Sequence, residues 1–285
     1  MAEPHDPRIT PARPDLAAAD LRGQVTAQRY VTASPMQVCA FAVPLHLGPD
    51  RETPWLSELL LGERFDVFER NNGWAWGQAE RDHYVGYVPL EALAPAGAVP
   101  DQRISTLRTP VFAKPDLKAP VFGFAHHLSC FAQAGQDGDY VRIAPGGGWV
   151  YGGHCEPVTA PVRDWVEAAL LYLHAPYVWG GRSSFGLDCS ALVQNALQAG
   201  GVSAPRDSDM QAQTLGSAVP FDADLGGLRR GDLVFWSGHA GLMLDATDLL
   251  HANAHHMGVA REPLIEAARR IARSNGPVTA IKRIE

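Results

Sequence analysis

Three residues are placed to do chemistry together: Cys189, His239 and His251. Cys189 lies in Leu187-Asp188-Cys189-Ser190-Ala191-Leu192-Val193, just after the loop Tyr177-Val178-Trp179-Gly180-Gly181-Arg182-Ser183-Ser184-Phe185-Gly186. The apolar run behind the cysteine ends at Gly200-Gly201, which predicts a helix over 189–199 with the thiol in its first turn. The partial positive charge of a helix N-terminus stabilises a thiolate, so a lowered thiol pKa is expected. Such a nucleophile needs a base within hydrogen-bond reach and a group to hold that base. His239 follows Ser237-Gly238 at the start of an expected strand, and His251 lies on the next one. A hairpin brings the two rings together, so His251 can accept from His239 and fix its tautomer. The remaining pairs His126-His127 and His255-His256, and His154, are read as surface or satisfied core histidines.

The elements that position these residues follow from pattern. Residues 162–171 have helical spacing and stop before Pro176. Residues 209–213 predict a third helix with Ser208 as its cap. Gly231–Trp236, His239–Leu244, Asp248–Asn253 and Ala280–Ile284 predict strands. Helices followed by an antiparallel sheet make this part α+β. The chain before it is different. Residues 1–27 form a lead-in, with one or two helical turns expected over 15–21. Strands are expected over 24–31, 36–43, 64–70, 73–78 and 85–88, with Asn71-Asn72-Gly73 as a hairpin turn. After a Pro/Ala/Gly linker at 94–100, strands are expected over 109–112, 128–133, 139–143 and 148–151. The two β units share an order of strands, which predicts a diverged repeat of a small five- to six-stranded barrel.

Composition narrows the function. The chain has 285 residues, 46% hydrophobic and 19% charged, with 24 basic against 31 acidic side chains and a net charge of −7. No basic run is present, so neither nucleic acid nor an anionic membrane is expected as a partner. The first 23 residues carry four prolines and no apolar core segment, unlike a secretory signal, so a cytoplasmic location is expected. The four cysteines, at 39, 130, 155 and 189, are widely spaced. That spacing suits neither a zinc site nor a disulfide framework, so reduced thiols and no metal or cofactor are expected.

Asp188-Cys189-Ser190, Gly231–Trp236, Gly238-His239-Ala240-Gly241-Leu242 and Leu250-His251-Ala252-Asn253, with Tyr177–Gly181 ahead of them, resemble the NlpC/P60 family of cysteine peptidases. The resemblance covers about residues 160 to 285; Gly-His-Ala stands where Gly-His-Val is commoner. The β units resemble bacterial SH3-like domains. The implied architecture is a lead-in at 1–27, SH3-like barrels at 28–95 and 104–158, and a papain-like catalytic domain at 160–285. This arrangement is similar to the murein-peptide recycling members. The implied activity is hydrolysis of the γ-D-glutamyl–diamino acid bond in murein tri- or tetrapeptides with a free N-terminal L-Ala. The resemblance makes Cys189 the nucleophile, His239 the base and His251 the third member, with the Cys189 N–H and the Tyr177 hydroxyl at the oxyanion. It assigns Asp188 to the substrate ammonium, with Ser190, Asp207 and Ser208 at other pocket positions. It gives Tyr84 and Glu58 of the first barrel to the amine end. Two other classes use the same residues: a wall-fragment binding protein with an inert third domain, and an amidase or acyltransferase with the same Cys-His-His set.

Overall fold

The computed structural model describes residues 5–160 and 164–284. The chain forms two compact units, Met1–Ala160 and Pro161–Glu285. No helix among the described residues is long and apolar enough to cross a membrane.

The N-terminal unit begins with β1 (Leu16–Ala18) and β2 (Arg29–Val31), paired in parallel. The helical turns expected over 15–21 are replaced by β1 and one 3-10 turn, Ala19–Leu21. Three consecutive buried residues suit a strand covered on both faces. Of the strand expected over 24–31, only β2 forms.

The first sheet holds β3 (Ser34–Val38), β4 (Ala42–His46), β5 (Trp55–Leu60), β6 (Arg64–Asn71), β7 (Trp74–Ala79), β8 (Val85–Pro89) and β9 (Leu93–Pro95). The second holds β10 (Gln102–Ile104), β11 (Arg108–Phe112), β12 (Val121–His126), β13 (Cys130–Asp137), β14 (Tyr140–Ala144), β15 (Trp149–Tyr151) and β16 (Cys155–Pro157). Their strand orders are β5-β4-β8-β7-β6-β3-β9 and β12-β11-β15-β14-β13-β10-β16. Adding seven to each label of the first order gives the second, so the sheets repeat one topology with seven strands rather than five or six. The β6–β7 hairpin turns at Asn72 and Gly73, both with positive φ, as its Asn-Gly sequence requires. The single strand expected over 36–43 breaks after Val38, and Phe41 in the break packs against the core of the second sheet.

The sheets meet at Leu61 and Gly62. Leu61 is fully buried in the cluster of Ile104, Val111, Phe131 and Ile143, which belongs to the second sheet. Its carbonyl accepts from the Cys130 amide at 2.8 Å. Gly62 has φ +86°, and a Cβ there would lie 1.8 Å from the Cys130 carbonyl oxygen. Cys130 and Cys155 are pushed up to about 11 by burial, and all four thiols are free.

In the C-terminal unit, α1 (Trp165–Leu170) starts at Asp164, whose side chain accepts from the Val166 amide. Residues 162 and 163 of the expected helix lie outside the described residues. The hairpin β17 (Arg182–Ser183) and β18 (Gly186–Leu187) leads into α2 (Cys189–Ala199), which is buried except at Gln198. Then come α3 (Ser208–Thr214), β19 (Ser217–Ala218), β20 (Asp232–Trp236), β21 (His239–Met243), β22 (Asp248–Asn253), β23 (Gly258–Pro263), α4 (Leu264–Asn275) and β24 (Ala280–Arg283). The sheet order is β19-β24-β20-β21-β22-β23. Leu264, Ala267 and Ile271 of α4 pack with Val234, Trp236, Met243 and Leu249 of the sheet. Neither β23 nor α4 was expected from the sequence.

Two outcomes test the N-terminal unit. Gly62→Ala should cost about 2 kcal/mol or more in urea unfolding, because the methyl meets backbone rather than a movable side chain; a loss under about 0.5 kcal/mol would contradict the close approach. His126 and His127 are held down to about 4 and about 3 by burial, aided by Arg108 on the first and by Arg103 and Arg81 on the second. Both are therefore neutral in the fold and protonate first in the unfolded chain. Stability of the N-terminal unit should fall as pH drops from 6.5 towards about 4. His127→Gln should flatten that decline.

Candidate active site

Cys189 is the first residue of α2, and the Asp188 carboxylate caps the helix by accepting from the Ala191 amide at 2.9 Å. The backbone of Ala240, the second residue of β21, lies beside the Cys189 thiol and favours its ionised form. This brings the thiol to the start of the strand that His239 begins. His239 sits opposite Trp236 of β20 in the sheet register, with ring centroids 5.6 Å apart. Its Nε2 lies 2.8 Å from Nδ1 of His251 on β22. His251 is fully buried, and its Nε2 lies 2.7 Å from Oε1 of Glu262 on β23. His251 pairs with Ala260, so Glu262, two residues further along, shares its face of the sheet. Arg270 of α4 closes the row, donating Nη1 to Glu262 Oε2 at 2.6 Å and Nη2 to Oε1.

Burial governs the titration of this row. The Cys189 thiol is pushed up to about 12, by burial first and then by the negative charge of Asp188. The lowered thiol pKa expected from the helix N-terminus is therefore overturned: desolvation of a thiolate outweighs the helix end. His239 is driven down to about 3 by burial, with His251 and Arg270 adding to it. Burial also lowers His251, against the pull of Glu262. Glu262 itself is opposed by burial, yet the bonds from His251 and Arg270 hold its carboxyl far below the usual carboxylate range. Tyr177 is raised by burial and by its nearness to Cys189 and Asp188, which puts its hydroxyl in the same electrostatic neighbourhood.

Asp188 was expected to hold a substrate ammonium, and the structure gives that carboxylate other work. Its oxygens accept five bonds, from the Gly180 and Ala191 amides, the Ser190 hydroxyl and both terminal nitrogens of Arg206. Arg206, 1% exposed, also donates to Ser190 Oγ at 2.9 Å. Asp188 and Ser190 thus form a buried charged knot with Arg206 under the first turn of α2. Gln211 of α3 ties the knot to the next helix by donating to the carbonyls of Ser190 and Pro205. Asp207 is the N-cap position of α3 and Ser208 its first residue, both half-buried. Tyr84 and Glu58 belong to the N-terminal unit: Tyr84 is packed in the core of the first sheet, and Glu58 is buried on β5 opposite Pro44.

Glu262, Arg270 and Arg206 were not singled out from the sequence. A signal for Glu262 was available, since a tight β22–β23 hairpin puts residues near 260 beside His251. Among the described residues, His251, His256 and Glu262 also bring ligand atoms within 4.8 Å of one another. Arg270 already bonds both Glu262 oxygens, and its charge opposes a cation there.

The fold and the site define an α+β unit with a buried cysteine and a two-histidine row, preceded by an all-β unit. Residues 174–269 match the NlpC/P60 family, and residues 45–93 match the bacterial dipeptidyl-peptidase SH3 domain. Residues 174–269 thus carry an NlpC/P60 domain, with an SH3-like domain ahead of it. It is 35% identical over 98 residues to a γ-D-glutamyl-L-lysine dipeptidyl-peptidase of Bacillus subtilis (strain 168), an alignment covering 32% of this chain and 31% of that one. It is 36% identical over 88 residues to dipeptidyl-peptidase 6 of Lysinibacillus sphaericus, covering 31% of each. The chain thus spans about a third of the length of these relatives. A crystal structure of an NlpC/P60 family protein from Bacillus cereus ATCC 10987 shares its fold, with a TM-score of 0.72 and 18% identity over 88% of this chain and 99% of that one.

The charged knot makes a direct prediction. Arg206→Met leaves Asp188 buried without its cation and should destabilise the C-terminal unit by about 3–5 kcal/mol in urea unfolding. Adding Asp188→Asn should recover part of that loss. A single substitution costing under about 1 kcal/mol would show that the pair is not the anchor of α2.

Proposed function

We propose that this chain is a cysteine peptidase that hydrolyses the γ-D-glutamyl–diamino acid bond of murein tri- or tetrapeptides with a free N-terminal L-Ala, in the recycling of wall peptides. The observation that carries this reading is the 2.8 Å bond between His239 and His251 on the strands beside α2, whose first residue is Cys189. The names of the relatives, γ-D-glutamyl-L-lysine dipeptidyl-peptidase and dipeptidyl-peptidase 6, support the bond cleaved.

In this mechanism the sulfur attacks the γ-glutamyl carbonyl while its proton passes to His239. Burial keeps both groups neutral at rest, so the S–H bond breaks as the C–S bond forms. The oxyanion is stabilised by the Cys189 N–H and the Tyr177 hydroxyl; one such donor is typically worth about a hundredfold or more. His239 then protonates the departing amine of the diamino acid as the C–N bond breaks. Water, deprotonated by His239, attacks the thioester carbonyl and releases the γ-glutamyl carboxylate and the free thiol. Asp188 takes no step: paired with Arg206, it holds the first turn of α2 and so the sulfur.

The test is incubation with L-Ala-γ-D-Glu-meso-diaminopimelate and its lysine counterpart, free and N-acetylated. The free peptides should be cleaved between D-Glu and the diamino acid, the acetylated ones should not, and Cys189→Ser should lose activity by several orders of magnitude. Equal cleavage of blocked and free peptides would remove the free-amine requirement. Binding without cleavage by the wild type would make the chain a wall-fragment binding protein instead.

A further inference from the structure

The proposed reaction gives steps to Cys189 and His239 and an orienting part to His251, yet the row of short bonds does not stop at His251. It continues to Glu262 and Arg270. We propose that Glu262, clamped by Arg270, is a positioning residue that sets the tautomer of both histidines, so that neutral His239 keeps a bare Nδ1, its one nitrogen not bonded to His251, as proton acceptor. That His239 serves as the base rests on the peptidase reading; the tautomers do not.

The assignment follows from counting protons along the row. Arg270 donates to both oxygens of Glu262, and a guanidinium can only donate. An ionised carboxylate can only accept, so the 2.7 Å contact needs a proton on His251 Nε2. Neutral His251 then has a bare Nδ1. The 2.8 Å contact from that atom to His239 Nε2 needs the proton on His239. Neutral His239 is left with a bare Nδ1, the form able to take a proton from sulfur. Every bond in the row is satisfied by this arrangement.

The reverse arrangement satisfies the His–His contact equally well. There His251 donates from Nδ1 to a bare His239 Nε2, and the proton of His239 sits on Nδ1. His239 then has no lone pair for the S–H proton. The two histidines by themselves do not choose between these arrangements. Glu262 chooses, because the reverse one sets a lone pair of His251 against a carboxylate oxygen. After proton transfer the row also serves the imidazolium: His239 Nε2–H donates to His251, whose own N–H remains on Glu262.

Other charges face this row. His256 Nδ1 lies 3.9 Å from Glu262 Oε1, Glu266 acts on Arg270, and Asp188 favours the charged form of His239. None of them bonds a ring nitrogen of His239 or His251, so they alter charge without choosing a tautomer.

Histidine ¹⁵N NMR of the full chain tests the assignment directly. In the wild type, both His239 and His251 should carry the proton on Nε2. A wild-type His251 protonated on Nδ1 would overturn the proposal without any variant. Glu262→Gln presents one oxygen and one NH2. Arg270 should take the oxygen and leave the NH2 to donate to His251 Nε2, which reverses the row. Alkylation of Cys189 by iodoacetamide, and kcat on the free peptide with KM unchanged, should then fall roughly 10- to 100-fold. Adding Arg270→Met frees the amide to flip and should restore part of both. A folded Glu262→Gln variant with wild-type tautomers and alkylation rate would overturn the role of Glu262. Wild-type tautomers as assigned but no peptide cleavage would instead sink the peptidase reading alone.

Discussion

The C-terminal unit depends on one buried carboxylate. Asp188 cannot be left alone in a low-dielectric interior, because an unpaired charge there costs several kcal/mol. Its five bonds reach three separate pieces of chain: the Gly180 loop, the first turn of α2 and the segment that carries Arg206. Each piece is held by the requirement that the charge be satisfied. Cys189 is the next residue, so its sulfur inherits the position of the knot. A helix cap made by a solvated aspartate would orient the same helix but would not tie the loop or Arg206 to it.

A second ion pair, Glu262–Arg270, plays the matching part on the far side of the histidines. Each pair is neutral as a unit, so neither adds a full positive charge to favour a resting thiolate. Burial is the main reason the thiol is held up and the imidazoles down; Asp188 adds to the first, and the Arg270 charge to the second. The charges act through geometry: one pair fixes where sulfur is, the other which nitrogen of His251 carries hydrogen. In the proposed reaction, charge then develops only when substrate supplies the bond that sulfur forms.

What could be read from the sequence divides along the same line. The helix over 189–199 that begins at Cys189, the strands that carry His239 and His251, and the Asn-Gly hairpin were legible because each rests on local signals: a helix stop, a strand period, a turn dipeptide. The ion pairs were not. Arg206 and Asp188 are 18 residues apart in sequence, and nothing local says which acid an isolated arginine will meet. Glu262 sits in β23, which is rich in charge and weak in apolar alternation; Arg270 sits in α4, where Leu264, Ala267 and Ile271 keep helical spacing but nothing local names the partner of the arginine. The strand forms because β22 offers a complete register from Asp248 to Asn253. The lowered thiol pKa failed for a related reason: helix position is visible in sequence, but depth of burial is set by the tertiary fold.

The repeated sheets of the N-terminal unit separate what a turn needs from what packing needs. Between β5 and β6, the Gly62 amide donates to Val38 O and the Glu63 amide to Leu60 O, while the Val38 amide donates to Glu63 O. Between β12 and β13, Leu128, Ser129 and Ile104 make the equivalent bonds with Ile104 O, His126 O and Ser129 O. The central residue is left-handed in both turns, with φ 86° at Gly62 and 70° at Leu128. A leucine therefore suffices where only the turn makes demands, although this conformation costs a non-glycine residue about 1 kcal/mol or more. Glycine appears where the Cys130 carbonyl occupies the place of a Cβ. Its presence in the first copy alone records the contact between the two sheets, not the bend of the chain. Leu61 makes the same point from the other side: its neighbours in the turn serve the first sheet, but its side chain fills the core of the second. The divergence of the two copies at this turn is thus the packing of the unit written into sequence.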